Sequence, residues 1–176
     1  PPLARLNANS LADRRVTIIN RDAMIWLEQT DAAPFDVVIV DFPDPNSFSL
    51  GKLYTRRFYR LMKSRLAPGG SVGIQCTSPL VARTSYWCIF RTLEAAGFSV
   101  QPYHCAVPSF GVWGFMLARH EPFDPPRKAP PDLKFLNDGT LVAMFRLPTD
   151  LAPVPTEINR LDNQVLVRYY DDEWSR

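Results

Sequence analysis

FDVVIVDFPDP (35–45) opens with an apolar run that fits a central strand covered on both faces, and the run stops abruptly at Asp41. Pro43 and Pro45 then stiffen a short loop around Asp44. In an open α/β sheet, ligands bind beyond the carboxyl ends of the strands, so both carboxylates fall where a site belongs. Spacing alone leaves two readings open: a paired-carboxylate site, or a loop cap at Asp41 followed by a turn residue at Asp44.

Outward from this run, strand and helix patterns alternate, as in a mostly parallel α/β sheet. RVTIIN (15–20) reads as a short strand and DAMIWLEQT (22–30) as a helix. KLYTRRFYRLMKSRLAPGG (52–70) places Leu53, Tyr54, Phe58, Leu61, Met62 and Leu66 at three-to-four spacing, which predicts an amphipathic helix stopping at Pro-Gly-Gly. SVGIQC (71–76) is the next strand and SYWCIFRTLEAAG (85–97) a helix ended by Gly97. FSVQPYHCAV (98–107) and WGFMLARH (113–120) are the last two strands, giving the order βαβαβαββ. PFDPPRKAPP (122–131) packs five prolines into ten residues and predicts a stiff linker. Residues 132–176 hold two short helical tracts, too small for a core of their own and expected to pack back on the sheet.

Composition narrows the function classes. The 176 residues, 46% of them hydrophobic, suffice for a buried core, and 20 basic against 18 acidic residues form no basic stripe for nucleic acid. Cys76, Cys88 and Cys105 are odd in number, lack C-x-x-C spacing and sit in apolar stretches, as reduced thiols do. FGVWGFMLA (110–118) is far short of the roughly 18 apolar residues of a membrane span. G-x-S-x-G, phosphate-loop and clustered Cys/His patterns are all absent, so serine hydrolase, nucleotide triphosphatase and zinc chemistry find no support.

From Val16 to about Phe115 the chain resembles the spermidine synthase (polyamine aminopropyltransferase) family in one collinear order. VTIINRDAMIWLE resembles the family's strand, Gly-Asp pair and helix, and VVIVDFPDP its Asp-x-x-Asp-Pro loop. LYTRRFYRLM resembles the next helix, IQ (74–75) the strand end with its glutamine, and VPSFGVWGFML the Ile-Pro-Thr-Tyr hairpin. The resemblance implies a class I S-adenosylmethionine-dependent methyltransferase-like (Rossmann-like) α/β sheet ending in an antiparallel hairpin. Residues 1–121 would be its C-terminal portion. The family's sheet order is 3-2-1-4-5-7-6, with 15–20 as the third strand and 35–41 as the fourth. The tail, LVAMFRLPTDL to DDEW, resembles bacterial members in which this domain follows a membrane region, which implies a membrane-attached parent with this part in the cytoplasm.

The resemblance also implies roles. Asp22 matches the aspartate that binds the adenine amino group of the sulfonium co-substrate, beside its alternative as an N-cap for the helix at Ala23. Asp41 matches the general base, which also faces the co-substrate, and Asp44 the second carboxylate that holds an ammonium. Gln75 matches an amine-contacting glutamine. Phe110 stands where the family has a substrate-site tyrosine, which weakens the match to putrescine as the acceptor. Tyr103 and His104 receive no role. The family's glycine-rich loop and ribose-binding acid would precede Pro1, so this chain is expected to be inactive by itself.

The implied reaction moves an aminopropyl group from decarboxylated S-adenosylmethionine to putrescine or a related diamine, without a metal. An alkylammonium of pKa about 10.4 is protonated to about 99.9% at neutral pH, and an ordinary aspartate is about six units, roughly 9 kcal/mol, too acidic to take its proton. Two effects close the gap: the nearby sulfonium lowers the amine's pKa, and partial burial raises that of the carboxylate. An acidic loop would repel the carboxylate of intact S-adenosylmethionine, which disfavours the alternative of a small-molecule methyltransferase. The other alternative is a catalytically silent module that binds polyamine or nucleoside. Finally, an apolar strand 35–41 without its family neighbour would leave an exposed edge, so the chain is expected to form a homo-oligomer through that edge, or else to bring strand 15–20 beside it.

Overall fold

The computed structural model describes residues 6–109 and 111–175. The chain divides into two compact units, Pro1–Thr30 and Asp31–Arg176.

In the first unit, a single 3-10 turn at Ser10–Ala12 precedes helix α1 (Ala23–Gln29). Asp22 caps α1, accepting from the backbone N–H groups of Met24 (3.0 Å) and Ile25 (3.2 Å). RVTIIN (15–20) is not a strand, contrary to expectation, and Val16, Ile18 and Ile19 are exposed. A β-branched run has the propensity, but it becomes a strand only where a neighbour takes up its N–H and C=O groups.

The second unit is built on a four-stranded sheet of β1 (Phe35–Val40), β2 (Leu66–Cys76), β3 (Ser99–Val107) and β4 (Gly111–Arg119), in the order β1-β2-β4-β3. β1 and β2 are parallel, whereas β4 runs antiparallel to both β2 and β3. This is the 4-5-7-6 part of the expected order, hairpin included.

The stretch 52–70 is not one helix. A single turn, α2 (Phe48–Gly51), runs into a 3-10 turn at Lys52–Tyr54, and α3 begins only at Arg56 and ends at Ser64. Thr55 makes the break: its backbone is extended, and its hydroxyl donates to Lys52 O (2.7 Å) while accepting from Phe58 N–H (3.3 Å) as the cap of α3. Pro68, Gly69 and Gly70 belong to β2, in a bulge where pairing steps from Phe35–Leu66 to Val37–Ser71.

Alternation along β2 assigns the two faces of the sheet. Val72, Ile74 and Cys76 are buried, as are Tyr54, Phe58, Tyr59 and Met62 and, on α4 (Arg83–Ala95), Tyr86, Ile89 and Leu93, whereas Ser71, Gly73 and Gln75 are only half-buried. Gly114 lies on the buried face of β4, where a Cβ would overlap the Tyr86 ring. On the other face Tyr103 stacks on Phe115 (5.2 Å) and meets Phe145, just after α5 (Asp138–Met144).

The chain then returns to α4. Trp87 Nε1 donates to Leu151 O (3.0 Å), and Asn159, fully buried, links three segments. Its N–H donates to Thr92 Oγ1 (2.9 Å), its Nδ2 to Gly51 O (3.2 Å), and its Oδ1 accepts from Leu166 N–H (3.3 Å). Helix α6 (Val165–Trp174) buries Val165, Leu166 and Val167. Its Glu173 accepts from Thr84 N–H, Ser85 N–H and the Ser85 hydroxyl, capping α4 where Ala82 offers no side-chain acceptor. Among the described residues, no helix is long and apolar enough to cross a membrane.

Candidate active site

β1 delivers Asp41 and β2 delivers Gln75 to neighbouring strand ends, because Val40 pairs with Ile74. Asp41, Gln75, Gly73, Ile39, Tyr103 and Phe115 line one cleft of about 270 Å³. One wall is thus polar and the other is an aromatic stack. Asp41 is exposed at the mouth of this cleft.

The loop after Asp41 is held from several sides. The Tyr54 hydroxyl donates to Pro43 O (2.9 Å) and Phe42 O (3.3 Å), and the Phe42 ring packs edge-on against Tyr54 and Phe58. With its oxygen toward the Trp113 indole N–H, the Gln75 amide accepts from that group and donates to Phe42 O (3.1 Å). Gln75 therefore both lines the cleft and fixes the acidic loop.

Asp44 lies three residues beyond Asp41 on the same loop, but it is not a wall of the 270 Å³ cleft. Its Oδ2 accepts from the Tyr170 hydroxyl of α6 at 2.8 Å. Burial raises the Asp44 pKa above the ordinary carboxylate value, and the Tyr170 hydrogen bond acts in the opposite direction. Burial likewise raises the pKa values of Tyr54 and Cys76, so both are protonated at neutral pH, and it pushes Tyr103 up to about 12.

Of the other residues singled out in the sequence, Asp22 belongs to the first unit and serves there as the cap of α1. Phe110 lies outside the described residues. His104, given no role, hydrogen-bonds through Nδ1 with Met144 O (3.0 Å) in a structural contact. Tyr54, Trp113 and Tyr170 were not foreseen as site residues. Tyr54 read as a core position of a helix, and Tyr170 is 126 residues from its partner, with no local pattern to announce it.

A parallel strand pair, an acid at the end of β1, a glutamine at the end of β2 and a closing hairpin define a Rossmann-like enzyme scaffold with its cleft at the strand ends. The family model for the spermine/spermidine synthase domain matches residues 3–125, and the chain belongs to that family. It is 54% identical over 174 residues to a polyamine aminopropyltransferase of Leptospira interrogans, a match covering 99% of this chain and 35% of that protein. It is 40% identical to polyamine aminopropyltransferase 1 of Streptomyces coelicolor, covering 98% of this chain and 33% of that one. The chain thus spans about a third of the length of these curated relatives. Among solved structures, a spermidine synthase in complex with the transition state analogue AdoDATO is similar at 25% identity with a TM-score of 0.69, over 83% of this chain and 52% of that one.

Proposed function

We propose that this chain carries the amine-handling half of an aminopropyltransferase site, which joins an aminopropyl group from decarboxylated S-adenosylmethionine to a primary amine such as putrescine. The observation that carries the reading is the convergence of Asp41 and Gln75 on one cleft with an aromatic wall, in a chain of the spermine/spermidine synthase domain family. The names of the Leptospira and Streptomyces relatives support it as well.

In this reading Asp41 accepts a proton from the acceptor ammonium. The freed nitrogen lone pair attacks the propyl carbon beside the sulfonium, the carbon–sulfur bond breaks, and its electron pair leaves with sulfur as methylthioadenosine. Because Asp41 is exposed, the proton transfer depends on the sulfonium charge lowering the amine's pKa and on bound substrates excluding water. Gln75, fixed between Trp113 and Phe42, orients the amine, and Asp44 holds a cationic end of it.

The test is turnover by the full-length protein with decarboxylated S-adenosylmethionine and putrescine, read as methylthioadenosine release, with intact S-adenosylmethionine as the contrast. Asp41→Asn keeps the shape but cannot take the proton, and is expected to lower kcat about 100-fold or more. Near-normal turnover in this variant would place the base elsewhere, and methyl transfer from intact S-adenosylmethionine would replace the reading altogether.

A further inference from the structure

We propose that Tyr170 is a positioning residue for the amine end of the site: its hydroxyl, donated to Asp44, fixes that carboxylate for an acceptor ammonium. This rests on the aminopropyl reading and adds to it a residue beyond 3–125, the stretch that the family model matches.

Three observations carry the inference. Helix α6 is anchored without Tyr170, by buried Val165, Leu166 and Val167, by Asn159 and by Glu173 on the start of α4. The Tyr170–Asp44 hydrogen bond is therefore free to serve Asp44 rather than to dock the helix. The Tyr170 ring also lies against Trp174 (5.7 Å), which sets its direction. Finally, Asp44 is half-buried, with Tyr170 as its side-chain partner and no Lys or Arg counter-ion among the described residues. A desolvated carboxylate held by one neutral donor keeps most of its acceptor capacity for an incoming cation.

The groups facing Asp44 are Tyr170 on α6, with Asp171 beside it, Tyr54 on the 3-10 turn, and Cys76 at the end of β2. Asp41 is on the same loop. Tyr54 and Cys76 are protonated at neutral pH, and Tyr170 is the neighbour that favours the ionised form of the Asp44 carboxyl.

Tyr170→Phe in the full-length protein keeps the ring and removes the donor. KM for the amine is expected to rise about tenfold while kcat and KM for the sulfonium co-substrate stay within about twofold, the loss of one hydrogen bond to a charged group. The acid limb of kcat/KM for the amine should move to higher pH, and the Asp44 carboxyl, followed by carbon NMR, should titrate at higher pH. Glu173→Gln, which weakens the anchoring of α6 without touching Asp44, should lower the melting temperature and leave both pH readouts in place. An unchanged amine KM and an unchanged Asp44 titration in Tyr170→Phe would overturn the inference. Absence of turnover in the wild type would count against the proposed reaction alone, since the NMR titration still reads the hold of Tyr170 on Asp44.

Discussion

Asp44 is a carboxyl whose proton is held more tightly in the folded chain than in water, with burial the larger influence and Tyr170 the smaller opposing one. An acid whose pKa is raised by folding costs stability once pH rises above its unfolded value, because the folded chain must then ionise a desolvated group. Asp44→Asn is therefore expected to leave the melting temperature at neutral pH unchanged or slightly raised. Binding has the opposite sign, since the ammonium needs the anion: amine affinity should fall as pH drops through the raised pKa. Asp44→Asn should raise amine KM by about tenfold or more and remove the pH dependence of amine KM on the acid side, measured as KM separately from kcat. A lowered melting temperature with the pH dependence of amine KM intact would mean that Asp44 is structural. At this scale the strand-end positions of Asp41 and Gln75 were legible from the motif, whereas Asp44, on the loop beyond, does not line the cleft they share. Tyr170 was not legible, because a hydrogen bond across 126 residues leaves no trace in local spacing.

At the scale of elements, periodicity found the apolar face of 52–66 but missed its break. Leu53, Tyr54, Phe58 and Met62 suit either one helix or a 3-10 turn followed by a capped helix. The choice lies in the Thr55 hydroxyl and in Asn159, whose backbone C=O accepts from Arg56 N–H (2.9 Å). Pro68-Gly69-Gly70 carries helix-stop chemistry, yet pairing with β1 draws it into a bulged strand, a non-local gain that propensity does not contain. The two tail tracts were legible as helices, and their anchoring was not. Asn159 satisfies Gly51 O, Thr92 Oγ1 and Leu166 N–H from a fully buried position. Asn159→Ala strands Gly51 O and Leu166 N–H, and is expected to cost about 2 kcal/mol or more in denaturant unfolding. A loss below about 0.5 kcal/mol would show that these groups find other partners.

The whole molecule raises the question of what the sheet does at β1, which has β2 as its strand neighbour on one side and no strand on the other among the described residues. Val37 and Ile39 are 62% and 74% exposed on this strand, so the edge is apolar as well as open. The sequence anticipated such an edge, and RVTIIN, expected as a strand that could close it, forms no strand. Self-association remains. An open apolar edge presents backbone donors and acceptors together with a surface that gains by leaving water, and a second copy supplies an edge of the same register. The 176-residue chain is therefore expected to sediment as a dimer or larger species at low micromolar concentration. Val37→Lys combined with Ile39→Lys puts charge on that edge without disturbing the buried face that carries Val40, and should shift the distribution toward monomer. A wild-type chain that sediments as a monodisperse monomer, with β1 amides exchanging freely with solvent, would refute the expectation, as would association that persists undiminished in the double lysine variant.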